Sequence, residues 1–348
     1  MIPLYKPYMP EDLSELNDIL HSGALSYGKW GKTFEQRLVK FIGSENVMTT
    51  SSFAMAIQIA LAALGMKPGD EVISSPMSCL ASNQPLLTFG LKVKWADIDP
   101  ATGTLCPISV RSLINNKTKL IFHNHFCGYL GHVDEINEIG HQYGIPVIDD
   151  CVEAFGSKYK GKTAGNLGTD ISVFSFQTVR LPNTIDGGAI VFKNKDLFEK
   201  ALLIRDYGID RTLFRDSYGE ISPNCDISLP GYGGTMSEVS SYIGCAQFDA
   251  LPVLLSKQKK NAERWNNELD LKKLDSRGYI EPNYWIYGVL SDNKLQDMIS
   301  FRNQGFYASG VHLPNSYYSV FGNQGHHPGV LDFNNKFIAV PCGWWFDK

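Results

Sequence analysis

The chain has no excess of basic residues and no long apolar run. Its 32 Lys and Arg against 36 Asp and Glu give a formal net charge of -4, so it lacks the positive field that nucleic-acid binding needs. No apolar stretch approaches the roughly 18–20 residues of a membrane span. The first residues, MIPLYKPYMPEDL, do not show the basic start and apolar core of a signal peptide. We therefore expect a cytoplasmic protein that binds neither nucleic acid nor membrane.

Paired cysteines are also missing. The seven cysteines stand at positions 79, 106, 127, 151, 225, 245 and 342. No two of them form a C-x-x-C pair, so the sequence predicts reduced thiols and no metal site. Cys79, Cys127 and Cys151 follow predicted strands, with His125 close by in sequence. A nucleophilic thiol is one interpretation of this grouping, and small buried side chains are the favoured one.

What the chain does contain is an alternation of apolar strands and helices. Residues 54–64 are apolar on nearly every face and predict a buried helix. Short apolar runs predict strands over 71–74, 93–97, 119–123 and 145–150, with a helix over 133–143. This order predicts an α/β fold with three layers, in which helices cover both faces of a mostly parallel sheet.

Three polar residues lie at the carboxyl ends of these predicted strands, where sheets of this kind bind ligands. They are His125, Asp149 and Asp150. An Asp at such a position caps a helix, or it keeps a heterocyclic nitrogen protonated, as pyridoxal phosphate (PLP) requires. A single His is most often a buried structural residue. The residues alone leave these alternatives open.

The pattern changes after about Leu251. A charged amphipathic helix is predicted over 257–269, and short aromatic-rich segments then run to PCGWWFDK. We therefore predict a large α/β domain over residues 1–250, which holds the ligand site, and a small α+β domain over 251–348.

The order of the motifs resembles that of the DegT/StrS-type sugar aminotransferases, which are PLP enzymes of fold type I. The likeness runs over nearly the whole chain, from IPLYKPYM through VIDDCVEAFG, SFQTVRLPNTIDGG and GYGGTM to VPCGWW. It implies an aspartate-aminotransferase-like fold and a homodimer with sites between two subunits. It also implies that the substrate is a nucleotide-linked keto-deoxysugar in surface-polysaccharide or deoxyamino-sugar biosynthesis.

The resemblance assigns roles to five residues. Asp150 matches the acid that pairs with the pyridine nitrogen, and Ser175 matches the serine that binds the cofactor phosphate. Gln177, in the same SFQ stretch, is grouped with the cofactor-binding residues. Glu153 lies where a Gln usually approaches the ring hydroxyl, and His125 matches a strand-end histidine of the family.

Other positions depart from the family pattern. Arg180 stands where the resemblance places the lysine that forms the imine with PLP. Three further cofactor contacts are changed: the phosphate-binding Ser-Gly-Thr is Ser52, Phe53 and Ala54, the stacking aromatic is Cys79, and the Asn that reaches the neighbouring subunit is Gly233.

The guanidinium of Arg180 stays protonated and is a poor nucleophile, so it cannot carry the imine. It can grip a phosphate or carboxylate. Three functions stay open: a PLP- or pyridoxamine-phosphate-dependent aminotransferase or dehydratase, a pocket that binds a nucleotide-linked sugar or another small anion without an imine, and a catalytically silent partner subunit. We favour the second, with no covalent cofactor and with Arg180 and His125 as the catalytic candidates.

Overall fold

The computed structural model describes residues 1–322 and 325–346. Within these ranges the strands are β1 (Val47–Thr50), β2 (Glu71–Ser74), β3 (Lys92–Trp95), β4 (Ile98–Asp99), β5 (Thr104–Leu105), β6 (Thr118–Asn124), β7 (Val147–Asp150), β8 (Lys158–Tyr159), β9 (Lys162–Thr163), β10 (Ile171–Ser175), β11 (Gly188–Phe192), β12 (Lys272–Lys273), β13 (Ile280–Glu281), β14 (Tyr287–Leu290) and β15 (Phe337–Val340). The α-helices are α1 (Glu15–His21), α2 (Lys29–Ile42), α3 (Phe53–Ala63), α4 (Leu80–Thr88), α5 (Pro107–Leu113), α6 (Val133–Tyr143), α7 (Lys195–Arg205), α8 (Glu238–Gln247), α9 (Leu251–Glu268), α10 (Lys294–Asn303) and α11 (Pro328–Lys336). Two 3-10 turns cover Asn315–Tyr317 and Ser319–Phe321.

A seven-stranded sheet in the order β1-β11-β10-β7-β6-β2-β3 forms the centre of the molecule. Every neighbouring pair from β10 to β3 is parallel, and β11 runs antiparallel to both β1 and β10. Adjacent residues of β7 belong to different apolar clusters, with Val147 on one face of the sheet and Ile148 on the other. Because both faces are covered, the strands read as continuous apolar runs. The predicted three-layer, mostly parallel α/β fold is confirmed.

The predicted helices are present with small shifts in their bounds. The all-apolar helix α3 packs on β10 and β11, and α6 has the predicted bounds. Helix α9 begins at Leu251, six residues before the predicted start. Its first turn contains Pro252, and proline is favoured in the first turn of a helix because its fixed φ is helical and the missing amide hydrogen is not needed there. None of the helices in the described ranges is both long and apolar enough to cross a membrane.

A second, three-stranded sheet in the order β12-β14-β15 follows α9. One apolar cluster contains Phe126 and Cys127, which lie just after β6, together with Trp285 and Phe337. The part after residue 250 therefore shares a core with the large sheet's loops. The boundary between residues 250 and 251 stays a prediction, and residues 323–324 and 347–348 of the predicted small domain lie outside the described residues.

The N-terminal segment, residues 1–8, runs along the C-terminal part of the chain. The amide of Ile2 donates to the carbonyl oxygen of Gly305 at 2.6 Å. The carbonyl oxygen of Pro3 accepts from the Trp345 indole at 3.0 Å, and that of Tyr8 accepts from Asn183 Nδ2 at 2.8 Å. These bonds on both sides of Tyr5 fix where its ring lies.

Candidate functional site

Glu153, in the turn after β7, lies at the centre of a polar cluster. Its Oε2 accepts from the backbone amide of Cys127 at 2.8 Å. Its Oε1 lies 2.9 Å from Nε2 of His312 and 3.5 Å from Nη2 of Arg180. Burial alone would raise the pKa of Glu153, but His312, Arg180 and the Cys127 amide outweigh burial and lower it to about 2. The carboxylate is therefore charged at neutral pH, with a cation beside it.

Arg180 lies in the loop between β10 and β11, and its side chain is only 10% exposed. Its guanidinium carbon is 4.3 Å from the ring centre of Trp285, a cation–π contact. In the part of the chain that the structure describes, its Nε and Nη1 have no hydrogen-bond partner. A buried donor without an acceptor costs about 1–3 kcal/mol, and more when it is charged. Arg180 therefore has donor capacity that the protein leaves unused.

Tyr5 brings the N-terminal segment into this site. Its ring stacks on Trp285 with centroids 4.5 Å apart and planes 16° from parallel. Burial, together with the nearby Cys127 and Glu153, raises the pKa of Tyr5 well above its usual range. The indole of Trp285 is itself fixed, because its Nε1 donates to the carbonyl oxygen of Val179 at 3.0 Å.

The cavity beside Arg180 has a volume of about 10 Å³, and Glu153, Ser175, Arg180, Asn283 and Trp285 are among the residues that line it. This volume holds about one water molecule, whereas pockets for small ligands are typically several hundred Å³. A larger ligand therefore needs a movement of the surrounding side chains. The Ser175 hydroxyl already accepts from the backbone amide of Gln177 at 3.3 Å, and the Gln177 side chain is exposed.

Asp150 and Cys79 border the same region. Asp150 is fully buried and accepts from Asn124 Nδ2 at 2.8 Å and from the amide of Val152 at 3.1 Å. Burial raises its pKa. Burial, and then Glu153, raise the pKa of Cys79 to about 11. Cys79 is thus a thiol at neutral pH, with no sign of the activation that a nucleophilic cysteine needs.

The residues predicted to hold a phosphate have other partners. Ser52 caps α3, since its hydroxyl accepts from the amide of Met55 at 3.1 Å. Phe53 is part of the core under the sheet, and Ala54 is exposed without a hydrogen-bonding side chain. A Cβ on Gly233 would lie 2.2 Å from the hydroxyl oxygen of Tyr207, so a larger residue there needs that ring to move.

His125 faces away from Asp150. It is fully buried, its Nε2 lies 3.5 Å from Oδ1 of Asp149, and its Nδ1 accepts from the amide of Gly131 at 3.1 Å. Successive residues of a strand point to opposite faces, so Asp149 and Asp150 serve different sides of the sheet. In residues 1–322 and 325–346 no contact joins His125 to Arg180. The catalytic role of His125 stays a prediction, and its geometry is that of a structural residue.

Three residues of this site were missed by sequence reasoning. They are Tyr5, Trp285 and His312, and each lies more than 100 residues from both Arg180 and Glu153 in the chain. None of them stands in a motif with local spacing. Only the stretch IPLYKPYM, which contains Tyr5, was part of the family resemblance, and the resemblance gave Tyr5 no role.

Acid is expected to destabilise the fold through the pair of His123 and Asp149 on the other face. His123 Nδ1 lies 2.9 Å from Asp149 Oδ1, with His125 and His132 also nearby. Burial lowers the pKa of His123 to about 4. Between pH 6.5 and 4 the unfolded chain therefore binds a proton that the folded chain does not, so stability falls as the pH falls. Asp149, whose pKa is lowered by His125 and His123 against the effect of burial, adds stability that is lost only at lower pH.

Urea unfolding at pH 7 and pH 5 measures this effect. We expect the free energy of unfolding to drop by about 1–2 kcal/mol more in the wild type than in His123→Gln. His21→Gln, an exposed histidine of α1, is the matched control and should behave as the wild type. An equal drop in the free energy of unfolding in all three proteins would show that His123 is not the source of the pH dependence.

An imine-anchored PLP does not fit these side chains as they are placed. Arg180, which the resemblance aligns with the family's lysine, carries a guanidinium and not an amine. The Ser52 and Ser175 hydroxyls accept from backbone amides, and the cavity is about 10 Å³. Tyr5 and Trp285 stack on each other beside the Arg180 guanidinium.

Comparison with known proteins places the chain in a family. The model of the DegT/DnrJ/EryC1/StrS aminotransferase family matches residues 8–313. The structure is similar to AtS13 from Actinomadura melliaura, with a TM-score of 0.93, 28% identity, and coverage of 100% of this chain and 95% of that chain. It is similar to the sugar aminotransferase CalS13 from Micromonospora echinospora, with a TM-score of 0.92, 26% identity, and coverage of 100% and 96%. For Helicobacter pylori PseC, an aminotransferase involved in the biosynthesis of pseudoaminic acid, the TM-score is 0.87 at 23% identity over 99% and 94% of the chains, a likeness of fold. This chain belongs to the DegT/DnrJ/EryC1/StrS aminotransferase family.

Proposed function

We propose that this chain is a member of the sugar-aminotransferase family that does not transaminate, and that its pocket binds the anionic part of a nucleotide-linked sugar or a similar small anion. The observation that carries the proposal is the buried guanidinium of Arg180, whose Nε and Nη1 lack acceptors among the described residues. Oxygen atoms of a phosphate or carboxylate would supply those acceptors. The sugar is inferred from the family and from the similar structure of CalS13, a sugar aminotransferase.

The absence of an imine follows from the chemistry of Arg180. Transamination needs an amine that becomes neutral, bonds to the cofactor and then carries a proton between two carbons. A guanidinium stays protonated in a protein and does none of these. We therefore propose that no cofactor is held covalently. PLP or pyridoxamine phosphate would have to bind through noncovalent contacts alone.

Anion binding requires the site to open, and Tyr5 is the side chain that we expect to move. Its stacking on Trp285 contributes about 0.5–1.5 kcal/mol beyond the buried area. Each charge-assisted hydrogen bond from Arg180 to an anion contributes about 1.5–3 kcal/mol. The free energy gained from two such hydrogen bonds exceeds the free energy lost when Tyr5 leaves Trp285. An anion can therefore displace Tyr5.

Thermal unfolding with nucleoside-diphosphate sugars and with inorganic pyrophosphate tests the proposal, because a ligand that binds the folded state raises the midpoint. We expect a saturable rise of the midpoint for the wild type and none for Arg180→Met. Arg111→Met, an exposed arginine of α5, is the control and should keep the rise. A rise of equal size in Arg180→Met would show that the anion binds elsewhere.

A second candidate is a catalytically silent partner subunit. The observation that favours it is the small cavity, about 10 Å³. The same titration separates the two functions, because a silent subunit gives no midpoint shift with any of these probes. We also propose a cytoplasmic homodimer, as the family resemblance implies, and sedimentation at micromolar concentration measures the assembly. An aminotransferase or dehydratase that holds PLP or pyridoxamine phosphate over Asp150 is the remaining alternative.

A further inference from the structure

We propose that Cys127, Glu153 and His312 form a binding site for a zinc-like divalent metal ion. The Cys127 sulfur, one Glu153 carboxylate oxygen and one His312 ring nitrogen all lie within 4.8 Å of one another. The three residues come from the loop after β6, the turn after β7 and the loop before Asn315–Tyr317. The fold assembles this set from distant parts of the chain, so the local cysteine spacing that predicted no metal could not detect it. The proposal does not depend on the anion-binding function.

The donor atoms suit a borderline metal ion. Thiolate, imidazole and carboxylate are the ligands that zinc prefers, at distances of about 2.0–2.3 Å. A tetrahedron with such bonds separates neighbouring ligand atoms by about 3.3–3.6 Å. Nε2 of His312 is already 2.9 Å from Oε1 of Glu153. Small side-chain rotations around these positions would bring the three atoms to the required spacing.

The backbone and the charges also support a site. Cys127 is fully buried and adopts a left-handed backbone with φ 53°, which is uncommon for residues other than glycine and costs free energy. A thiolate and a carboxylate together balance a divalent cation, and the thiol proton leaves to solvent on binding. The nearby Arg180 then favours a hydroxide or another anion at the open fourth position. The His312 side chain is 16% exposed, which gives solvent access.

A second group of possible ligands, on the other face of the sheet, lacks a lone pair that zinc needs on one histidine. His123, His125 and Asp149 also place donor atoms within 4.8 Å of one another. However, the amide of Gly131 donates to Nδ1 of His125, so Nε2 must carry the hydrogen and has no lone pair for a metal. In the structure Nε2 of His312 lies 2.9 Å from the Glu153 carboxylate and therefore carries a hydrogen. No backbone amide in residues 1–322 and 325–346 donates to its Nδ1, so the hydrogen can move to Nδ1 when a metal replaces that hydrogen bond at Nε2.

Cobalt substitution tests the site directly. Metal-free protein is titrated with Co²⁺, and then Zn²⁺ is added in competition. We expect one equivalent of Co²⁺ to bind with the near-ultraviolet absorption of a cobalt–thiolate bond, and Zn²⁺ to remove that absorption. Cys127→Ser should abolish the absorption, and His312→Gln should lower the Co²⁺ affinity at least about 10-fold. Cys151→Ser, another fully buried cysteine, is the control and should match the wild type.

The proposal is overturned if no stoichiometric binding occurs, or if Cys127→Ser leaves the absorption unchanged. Where Cys127→Ser does not fold, X-ray absorption of the zinc-loaded wild type decides. One sulfur neighbour near 2.3 Å with nitrogen or oxygen neighbours supports the site, and a shell without sulfur overturns it.

Discussion

Glu153→Ala is expected to lower the free energy of unfolding by about 3–5 kcal/mol. The substitution removes the carboxylate from the buried Arg180–Glu153 ion pair and leaves the charge of Arg180 uncompensated. The two side chains of that pair are 10% exposed for Arg180 and 2% exposed for Glu153. Alanine also leaves the amide of Cys127 and the ring of His312 without the carboxylate that each now contacts. Urea unfolding of metal-free protein at pH 7 measures the change.

Two controls separate the ion pair from its surroundings. Glu153→Gln keeps the shape and an acceptor oxygen, so we expect about half the loss. Glu135→Ala removes a half-exposed acid of α6 and should change stability by no more than about 0.5 kcal/mol. A loss below about 1 kcal/mol for Glu153→Ala would show that Arg180 does not depend on this carboxylate.

Arg180→Lys is expected to gain little or no binding of PLP and little or no aminotransferase activity with keto-sugar nucleotides and glutamate. The lysine restores an amine, but Ala54 still lacks a hydroxyl, Cys79 still lacks a ring and Gly233 still lacks an amide. Charge-assisted phosphate contacts are worth about 1.5–3 kcal/mol each, so the loss of two weakens binding by factors of hundreds. Tyr5 also remains stacked in the site.

A combined variant provides the comparison. Arg180→Lys with Ala54→Thr, Cys79→Phe, Gly233→Asn and Tyr5→Ala should bind PLP at least about 10-fold more tightly than Arg180→Lys alone, since one restored phosphate contact is worth that much. Absorbance titration measures both affinities. Tight PLP uptake with turnover by the single variant would show that the other departures are tolerated variation.

Much of the fold was accessible from the sequence because it depends on local periodicity. The run AMAIQIALAAL is apolar on every face and became the buried helix α3, whose bounds differ from the prediction by one residue at each end. The strands before His125 and Asp149 were predicted from short apolar runs that are buried on both faces. Glu153 and Arg180 were singled out because the family resemblance aligns them with known positions, and in the structure Oε1 of Glu153 lies 3.5 Å from Nη2 of Arg180. Their roles in the site stay predictions.

The rest of the site depends on packing between distant residues. Tyr5, Trp285 and Arg180 meet only because the N-terminal segment is hydrogen-bonded along the C-terminal part of the chain. The two-residue period of a strand puts residues 123 and 125 on one face. That Asp149 shares this face depends on the register of β6 against β7, which pairs His123 with Asp149.

Borohydride reduction of the protein with PLP, followed by peptide mass mapping, tests the central claim most directly. Reduction converts any imine into a stable pyridoxyl adduct on the lysine that formed it. We expect no stoichiometric adduct on any single lysine of the wild-type chain and no protein-bound absorbance in the aldimine band. Scattered substoichiometric labelling of exposed lysines is the background, and it should be equal in Arg180→Met. One full equivalent of pyridoxyl on a single lysine would contradict the account.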